Sequence, residues 1–268
     1  MKRTLLVTGA TKNTGWAVAR RFAGDGWNVA ITSRDAAAAE NAAAELKGEF
    51  PDVDALGIAM DPARVGDIRA AFASVAAKFG RLDAFVSNAA NLGVGMSVLS
   101  SSEADWDAVM NANARAAFFG SQEAVKLMKD GGSIVFISSC HDLKSVPGRA
   151  LYTASKAAIG GITRSLAVEL GCLGIRVNAI LAGAVRTDRW EPLTPEQIQE
   201  RRDRYPAGKE SSPEEIADVV AFLCSESART ITGIEMPVDS GIGVCLLKYN
   251  KNWIENDPYN VKYWEEKK

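Results

Sequence analysis

The sequence predicts an α/β protein: a single-domain, Rossmann-like doubly wound parallel β-sheet with helices on both faces, followed by a C-terminal extension. Three observations predict it. Short apolar runs rich in β-branched residues alternate with amphipathic stretches along the chain; the first run passes directly into a glycine-rich turn; and no repeat interrupts 268 residues that are 47% hydrophobic, enough for one sizeable core. Strands that are apolar throughout belong to sheets covered on both faces.

The elements follow in order. Leu5-Leu6-Val7 reads as a short buried strand, and Thr8-Gly9-Ala10-Thr11-Lys12-Asn13-Thr14-Gly15 follows it before a helical pattern begins at Trp16, Val18, Ala19 and Phe22. Further strands are predicted at Asn28–Thr32, Ala55–Ala59, Leu82–Val86, Ile134–Ile137, Arg176–Ile180 and Ile234–Val238. The Ala-rich stretch Asp35–Leu46 suits an exposed helix, because Ala and Glu favour that state. Long helices with Ala/Gly-rich faces are expected at about Glu103–Lys129 and Leu151–Cys172. The segment at about 186–212 shows no strand pattern and ends on the helix-start signal Ser212-Pro213-Glu214-Glu215. The catalytic domain is therefore expected over 1–245, with a tail over 246–268. That tail holds Tyr249, Trp253, Tyr259, Tyr263 and Trp264, more aromatics than a disordered end carries, and is expected to pack over a substrate pocket or staple an oligomer.

A net charge of −2 gives no electrostatic reason to expect nucleic acid or an anionic membrane as partner. The first strand starts within a few residues of Met1, and no apolar run approaches spanning length, so a soluble, cytoplasmic protein is expected. Four cysteines without C-x-x-C spacing and a single histidine point to no metal site and to reduced, partly buried thiols. Cys140 is set apart by adjoining Ser139.

Chemistry is suggested by Tyr152-Thr153-Ala154-Ser155-Lys156, thirteen residues after Ser139. On a helix, Tyr152 and Lys156 share a face, and the ammonium is expected to lower the phenol pKa, giving a general acid/base. Ser139 can then bond the same substrate oxygen. The glycine turn offers backbone N–H groups to a pyrophosphate at the start of a helix. Either element alone is weak; together, in this order, they are specific.

With these residues the chain resembles the short-chain dehydrogenase/reductase family over roughly residues 3 to 243. The further landmarks are Asp61, Ser87-Asn88-Ala89-Ala90, Trp106 with Asn113 seven residues on, Arg176-Val177-Asn178, Gly183 with Thr187, and Val238-Asp239-Ser240-Gly241. The resemblance implies a catalytic tetrad of Asn113, Ser139, Tyr152 and Lys156. It also implies cofactor contacts from Gly9, Thr11, Lys12, Asn13, Thr14 and Gly15, from Asp61, Asn88, Tyr152 and Lys156, and from Gly183, Val185 and Thr187. Three positions depart from the family pattern: Asn13 replaces the middle glycine of the turn, Ser87-Asn88-Ala89-Ala90 stands for Asn-Asn-Ala-Gly, and Ala182-Gly183 for Pro-Gly. Asn is the non-glycine residue best suited to a left-handed backbone, which preserves the turn.

Cofactor choice is read at the end of the second strand, where a carboxylate binds the ribose diol of NAD and a basic residue accepts the 2′-phosphate of NADP. This chain has Ser33-Arg34 there, and Lys12 in the turn is expected to join Arg34 around the phosphate. Asp35 lies past the diol-binding position and is equally suited to cap the next helix. His141, Arg186, Arg189 and Trp190 are the substrate-contact candidates. The reading is an NADP(H)-dependent oxidoreductase interconverting a secondary alcohol and a ketone, a carbonyl reductase acting on a sugar-, steroid- or 3-oxoacyl-type substrate, and a homo-oligomer, dimer or tetramer. The alternatives are a non-catalytic NADP(H)-binding regulator on the same fold and a sugar-nucleotide epimerase or dehydratase, relatives of which usually carry a longer C-terminal domain. Enoyl reductases of the same superfamily space their Tyr and Lys more widely.

Overall fold

A computed structural model describes residues 2–245; the aromatic tail expected over 246–268 lies outside the described residues. Seven strands form one sheet, β1 Thr4–Thr8, β2 Asn28–Ser33, β3 Ala55–Ala59, β4 Ala84–Ser87, β5 Gly132–Ser139, β6 Ile175–Ala182 and β7 Glu235–Val238. Every pair is parallel and the order is β3-β2-β1-β4-β5-β6-β7. All seven strands lie where the apolar runs predict them, with ends that shift by up to two residues.

Two hydrophobic clusters explain why both faces are covered. Successive strand side chains point to opposite faces, so Leu5 and Val7 join one cluster and Leu6 the other. Phe22 of helix α1 (Asn13–Gly24), Leu46 of α2 (Ala36–Glu49) and Val220 near the chain's end fill the first. The second is closed by Phe72 of α3 (Val65–Phe79), by Ala124 and by Leu166.

The long helix expected over Glu103–Lys129 is not continuous. It comprises α4 (Glu103–Met110), a π-helical turn at Asn111–Arg115 and α5 (Ala116–Leu127). The extra residue that a π turn inserts into a helix re-aims the side chains on it, and such turns favour functional positions. Helix α6 (Ala150–Leu170) ends close to the expected place and passes into a short 3₁₀ turn at Gly171–Leu173. The segment at about 186–212, which shows no strand pattern, holds a helix, α7 (Pro195–Arg202); Thr194 and Gln197 form its capping box. Helix α8 (Pro213–Cys224) starts at the signalled Ser212, also through a capping box. Among the described residues no helix is long and apolar enough to cross a membrane.

Candidate active site

The order of strands reverses between β1 and β4. In open parallel sheets ligands bind in the crevice at that point, beyond the C-terminal strand ends. A cleft of about 1160 Å³ opens there, lined by the glycine turn after β1, the ends of β2, β3 and β4, and the strap at Thr187–Arg189. Single-ligand pockets are roughly 300–1,000 Å³, so there is room for a dinucleotide and part of a second molecule.

The turn is built by close backbone approach. Gly9 has φ 62° and Asn13 φ 52°, the left-handed conformation expected for Asn at that position. A Cβ at Gly15 would lie 2.5 Å from the Gly9 carbonyl and 2.6 Å from the Asn88 amide. Thr8 Oγ1 accepts the Asn88 and Ala89 N–H groups at 2.9 and 3.0 Å, while the Asn88 side chain donates to the Thr8 and Gly9 carbonyls, both at 2.9 Å. These bonds clamp the turn to the end of β4 and leave Thr11, Lys12, Asn13 and Thr14 lining the cleft. A cradle that a single Cβ would fill fits a pyrophosphate.

At the far end Ser33, Arg34 and Asp61 line the cleft. Arg34 is exposed and Ser33 Oγ accepts the Asp35 N–H at 3.2 Å. Asp35 itself is the N-cap of α2, accepting from Ala38 at 3.1 Å. The Lys12 ammonium bonds Asp188 at 2.6 Å, and Asn13 bonds the same carboxylate at 3.2 Å, so the strap is latched over the turn.

The carbonyl end is assembled by α6 and the π turn. Asn113 is buried; it accepts the Asn91 N–H at 2.7 Å and donates to the Asn91 carbonyl at 2.9 Å and to Ser155 Oγ at 2.8 Å. Lys156 is buried too, donating to the Ile137 carbonyl at 2.7 Å, with its Nζ 5.6 Å from the Tyr152 ring centre. Tyr152 lies just behind the cleft wall: a side chain at Gly93 would begin 3.8 Å from Tyr152 Cβ. Ser139 ends β5, accepts the His141 N–H at 3.2 Å, and also bonds the Tyr152 phenol. The four residues of the expected tetrad thus come together.

Their electrostatics differ from the expectation in one respect. Burial pushes the Tyr152 phenol up, and the Ser139 hydrogen bond and the Arg149 and Arg189 charges oppose it without winning. The Lys156 pKa is pulled down to about 8 by burial, against the attraction of Asp142. The i, i+4 spacing correctly places the pair but says nothing about desolvation. Burial pushes the Cys140 thiol up as well, so it is no reactive neighbour. All four cysteines are free, with Cys172 exposed rather than buried, and among the described residues no cluster of metal-binding side chains occurs.

Several predicted contacts stand elsewhere. Gly183 is packed against the turn after β7, where a Cβ would lie 2.6 Å from Asp239 Cα. Val185 packs on the first core cluster and bridges to Ser211. Trp190 is buried under Arg201, whose guanidinium sits 5.1 Å above its ring, and Arg186 turns 3.9 Å from Glu210. None of these four lines the cleft. Thr187, His141 and Arg189 do stay at the site: Thr187 Oγ1 and His141 Nδ1 are buried without a partner, and the His141 ring packs edge-on to Tyr152 at 5.7 Å. An orphaned hydroxyl on the strap that lines the cleft again fits a polar cofactor edge.

Sequence reasoning missed Asn91, Arg149 and Asp142. Arg149 Nη1 donates to the Leu92 carbonyl at 2.7 Å and its Cζ lies 6.0 Å from the Tyr152 ring centre. Asp142 meets Glu235 of β7 beneath α6, in space left by Gly160: a Cβ there would lie 2.8 Å from Asp142 Oδ2 and 2.4 Å from Glu235 Oε2. Burial, the hydrogen bond to Glu235 and its charge lift Asp142 to about 7, against Arg164 and Lys156. Arg164 pairs with Glu235 from the same helix as Lys156.

The family model described as Enoyl-(Acyl carrier protein) reductase matches residues 9–243. The chain is similar to 3-oxoacyl-(acyl-carrier-protein) reductase FabG of Staphylococcus aureus (32% identity; 90% of this chain, 98% of the relative). It is similar to a 3alpha-hydroxysteroid dehydrogenase of Mediterraneibacter gnavus (33%; 88% and 95%). Among solved structures, acetoin dehydrogenase YohF of Salmonella typhimurium aligns with a TM-score of 0.84 at 29% identity, covering 93% of this chain and 99% of the other.

Proposed function

The chain belongs to the short-chain dehydrogenase/reductase family, and from that premise we propose that it is an NADP(H)-dependent oxidoreductase interconverting a secondary alcohol and a ketone. The observation that carries the reading is the joint burial of Asn113, Ser139, Tyr152 and Lys156 beside a cleft whose glycine turn leaves no room for a Cβ. NADPH, when bound along that cleft, supplies a hydride. Thr11, Asn13, Thr14 and the backbone of Gly9 and Gly15 would hold its pyrophosphate, Ser33 and Arg34 its 2′-phosphate, with Asp61 and Asn88 beside the adenine and ribose and Thr187 beside the nicotinamide.

Tyr152 gives its phenolic proton to the substrate oxygen, and the high phenol pKa keeps that proton in place at neutral pH. Ser139 bonds the same oxygen as charge develops. Lys156 carries the positive charge behind the phenol, and Asn113 fixes the backbone of Asn91 through two hydrogen bonds. FabG is by its name a reductase of 3-oxoacyl groups and the Mediterraneibacter relative a dehydrogenase of 3alpha-hydroxysteroids; both names describe ketone/alcohol pairs, which supports this reaction class over the enoyl chemistry in the family description.

We also propose a homo-oligomer joined through α4, α5 and α6. Trp106 and Phe118 are 46% and 42% exposed and Val168 is 84% exposed, an unusual apolar outer surface for these helices.

The function is tested by a panel of secondary ketones offered with NADPH or NADH. Consumption of NADPH with a clear preference over NADH is expected, and Arg34→Ala should shrink that preference by roughly ten- to a hundred-fold, the value of a charge-assisted hydrogen bond. Equal kcat/KM for the two cofactors in the wild type overturns the cofactor assignment; no turnover of any ketone overturns the reaction.

A further inference from the structure

We propose that the substrate carries a carboxylate close to its reacting carbonyl, and that Arg149 and Arg189 hold it: the protein works on an oxo acid. The inference rests on the ketone-reductase reading and adds the substrate class. Its basis is which charges near the site are spent and which are not. Every other basic residue of the strap and of the segment after it already has a partner. Lys12 is held by Asp188, Arg186 and Arg202 by Glu210, Arg204 by Glu200 and Lys209 by Glu215, while Arg201 lies on Trp190. Among the described residues, no carboxylate lies within ion-pair distance of Arg149 or Arg189, the two guanidinium groups that act on Tyr152.

The acids nearest to them in sequence are turned away. Asp188, next to Arg189, is bound by Lys12 and Asn13. Asp142, seven residues before Arg149, meets Glu235 under α6. Arg149 also occupies the N-cap position of α6 without capping it. A cation there opposes the helix dipole, so its placement costs stability and adds to the positive field already at the helix start. Its one bond, to the Leu92 carbonyl, pins the guanidinium between the cleft wall and the Tyr152 ring and leaves its other donors unused. Arg189, exposed on the strap, lines the cleft. His141, edge-on to Tyr152, is kept neutral by burial and by Arg149, so it offers a hydrogen bond without adding a third charge. A guanidinium over the Tyr152 ring and a second one on the cleft wall offer forks that match a carboxylate beside a ketone.

The experiment compares 2-oxo-, 3-oxo- and 4-oxopentanoate, each against its methyl ester, with NADPH. Calorimetry supplies the Kd of pentanoate, which has the carboxylate and no ketone, and the Kd of NADPH. The wild type is expected to favour at least one acid over its ester by about tenfold or more in kcat/KM. Arg149→Gln and Arg189→Gln should each cut that ratio and weaken pentanoate by roughly ten- to a hundred-fold with the NADPH Kd within a few-fold. Arg149→Lys, which keeps a charge and a donor for Leu92, should retain most of the ratio. Turnover of esters and neutral ketones with no preference for any acid overturns the oxo-acid proposal and leaves the reductase reading standing. A loss of NADPH affinity in Arg189→Gln with an unchanged acid-to-ester ratio assigns that arginine to the cofactor and overturns the pair. No turnover of acid, ester or neutral ketone removes the reductase reading itself.

Discussion

The two ends of the cleft are built in opposite ways. At the glycine turn the polar groups are satisfied within the protein: Thr8 and Gly9 accept four hydrogen bonds from Asn88 and Ala89 at 2.9–3.0 Å. At the carbonyl end the buried groups are left wanting. His141 Nδ1, edge-on to Tyr152, and Thr187 Oγ1, on the cleft wall, are buried without a partner among the described residues. Buried polar atoms are nearly always bonded, so these two exceptions mark where binding and chemistry happen. The turn holds its shape alone; the other end is completed by what it binds.

That contrast makes the ends separable by mutation, and the largest effect is expected at the carbonyl end. Tyr152→Phe should lower kcat by about 10²–10⁴, the usual worth of a general acid, and leave NADPH binding within a few-fold by fluorescence titration. A Phe variant near wild-type kcat removes Tyr152 from the reaction. At the turn the reverse is expected. Gly15→Ala drives a Cβ into the Gly9 carbonyl and Asn88; overpacking of about 1–3 kcal/mol corresponds to about a five- to 150-fold weaker NADPH Kd. Saturating NADPH should recover most of kcat in that variant, with far-UV circular dichroism confirming the fold.

The third prediction concerns pH. Lys156 is lowered to about 8, so its positive charge is present below that pH and lost above it. Ketone reduction should therefore fall as pH rises through about 8. Lys156→Arg, charged throughout this range, should flatten that limb even where it lowers the overall rate; a profile flat from pH 6 to 9 in the wild type contradicts the role of the lysine charge.

The smallest effect lies beneath the site. Asp142 is raised to about 7 in the folded chain, above its unfolded value of about 3.9, so the folded state binds more protons between these values and stability falls as pH rises across them. Asp142→Asn should lose less melting temperature than wild type between pH 5 and 8. Equal losses would show that the carboxyl pair does not titrate in this window.

How much of this was readable depended on the range of the interaction. The strands, the turn and the left-handed Asn13 follow from local pattern and backbone sterics, and all are found where the residues placed them. The capping box at Thr194–Gln197 was equally local and was passed over because α7 has almost no apolar face to draw attention to it. The π turn at Asn111–Arg115 adds a residue to a helix without changing composition, so no periodicity betrays it. Arg149 meets a carbonyl 57 residues away, and Asp142 meets a carboxyl brought over by β7; such meetings follow from topology alone. The phenol pKa was misjudged for a related reason, since spacing conveys the neighbour and not the burial.

The central claim is that hydride and proton are added across a carbonyl, and a cyclic enone tests it most directly because it offers both a carbonyl and a conjugated double bond. The enone is reduced with NADPH carrying deuterium at the transferable position, and the product is examined by NMR. The account predicts an allylic alcohol with deuterium on the former carbonyl carbon. A saturated ketone with deuterium on the β-carbon would contradict it and make the protein a reductase of conjugated double bonds.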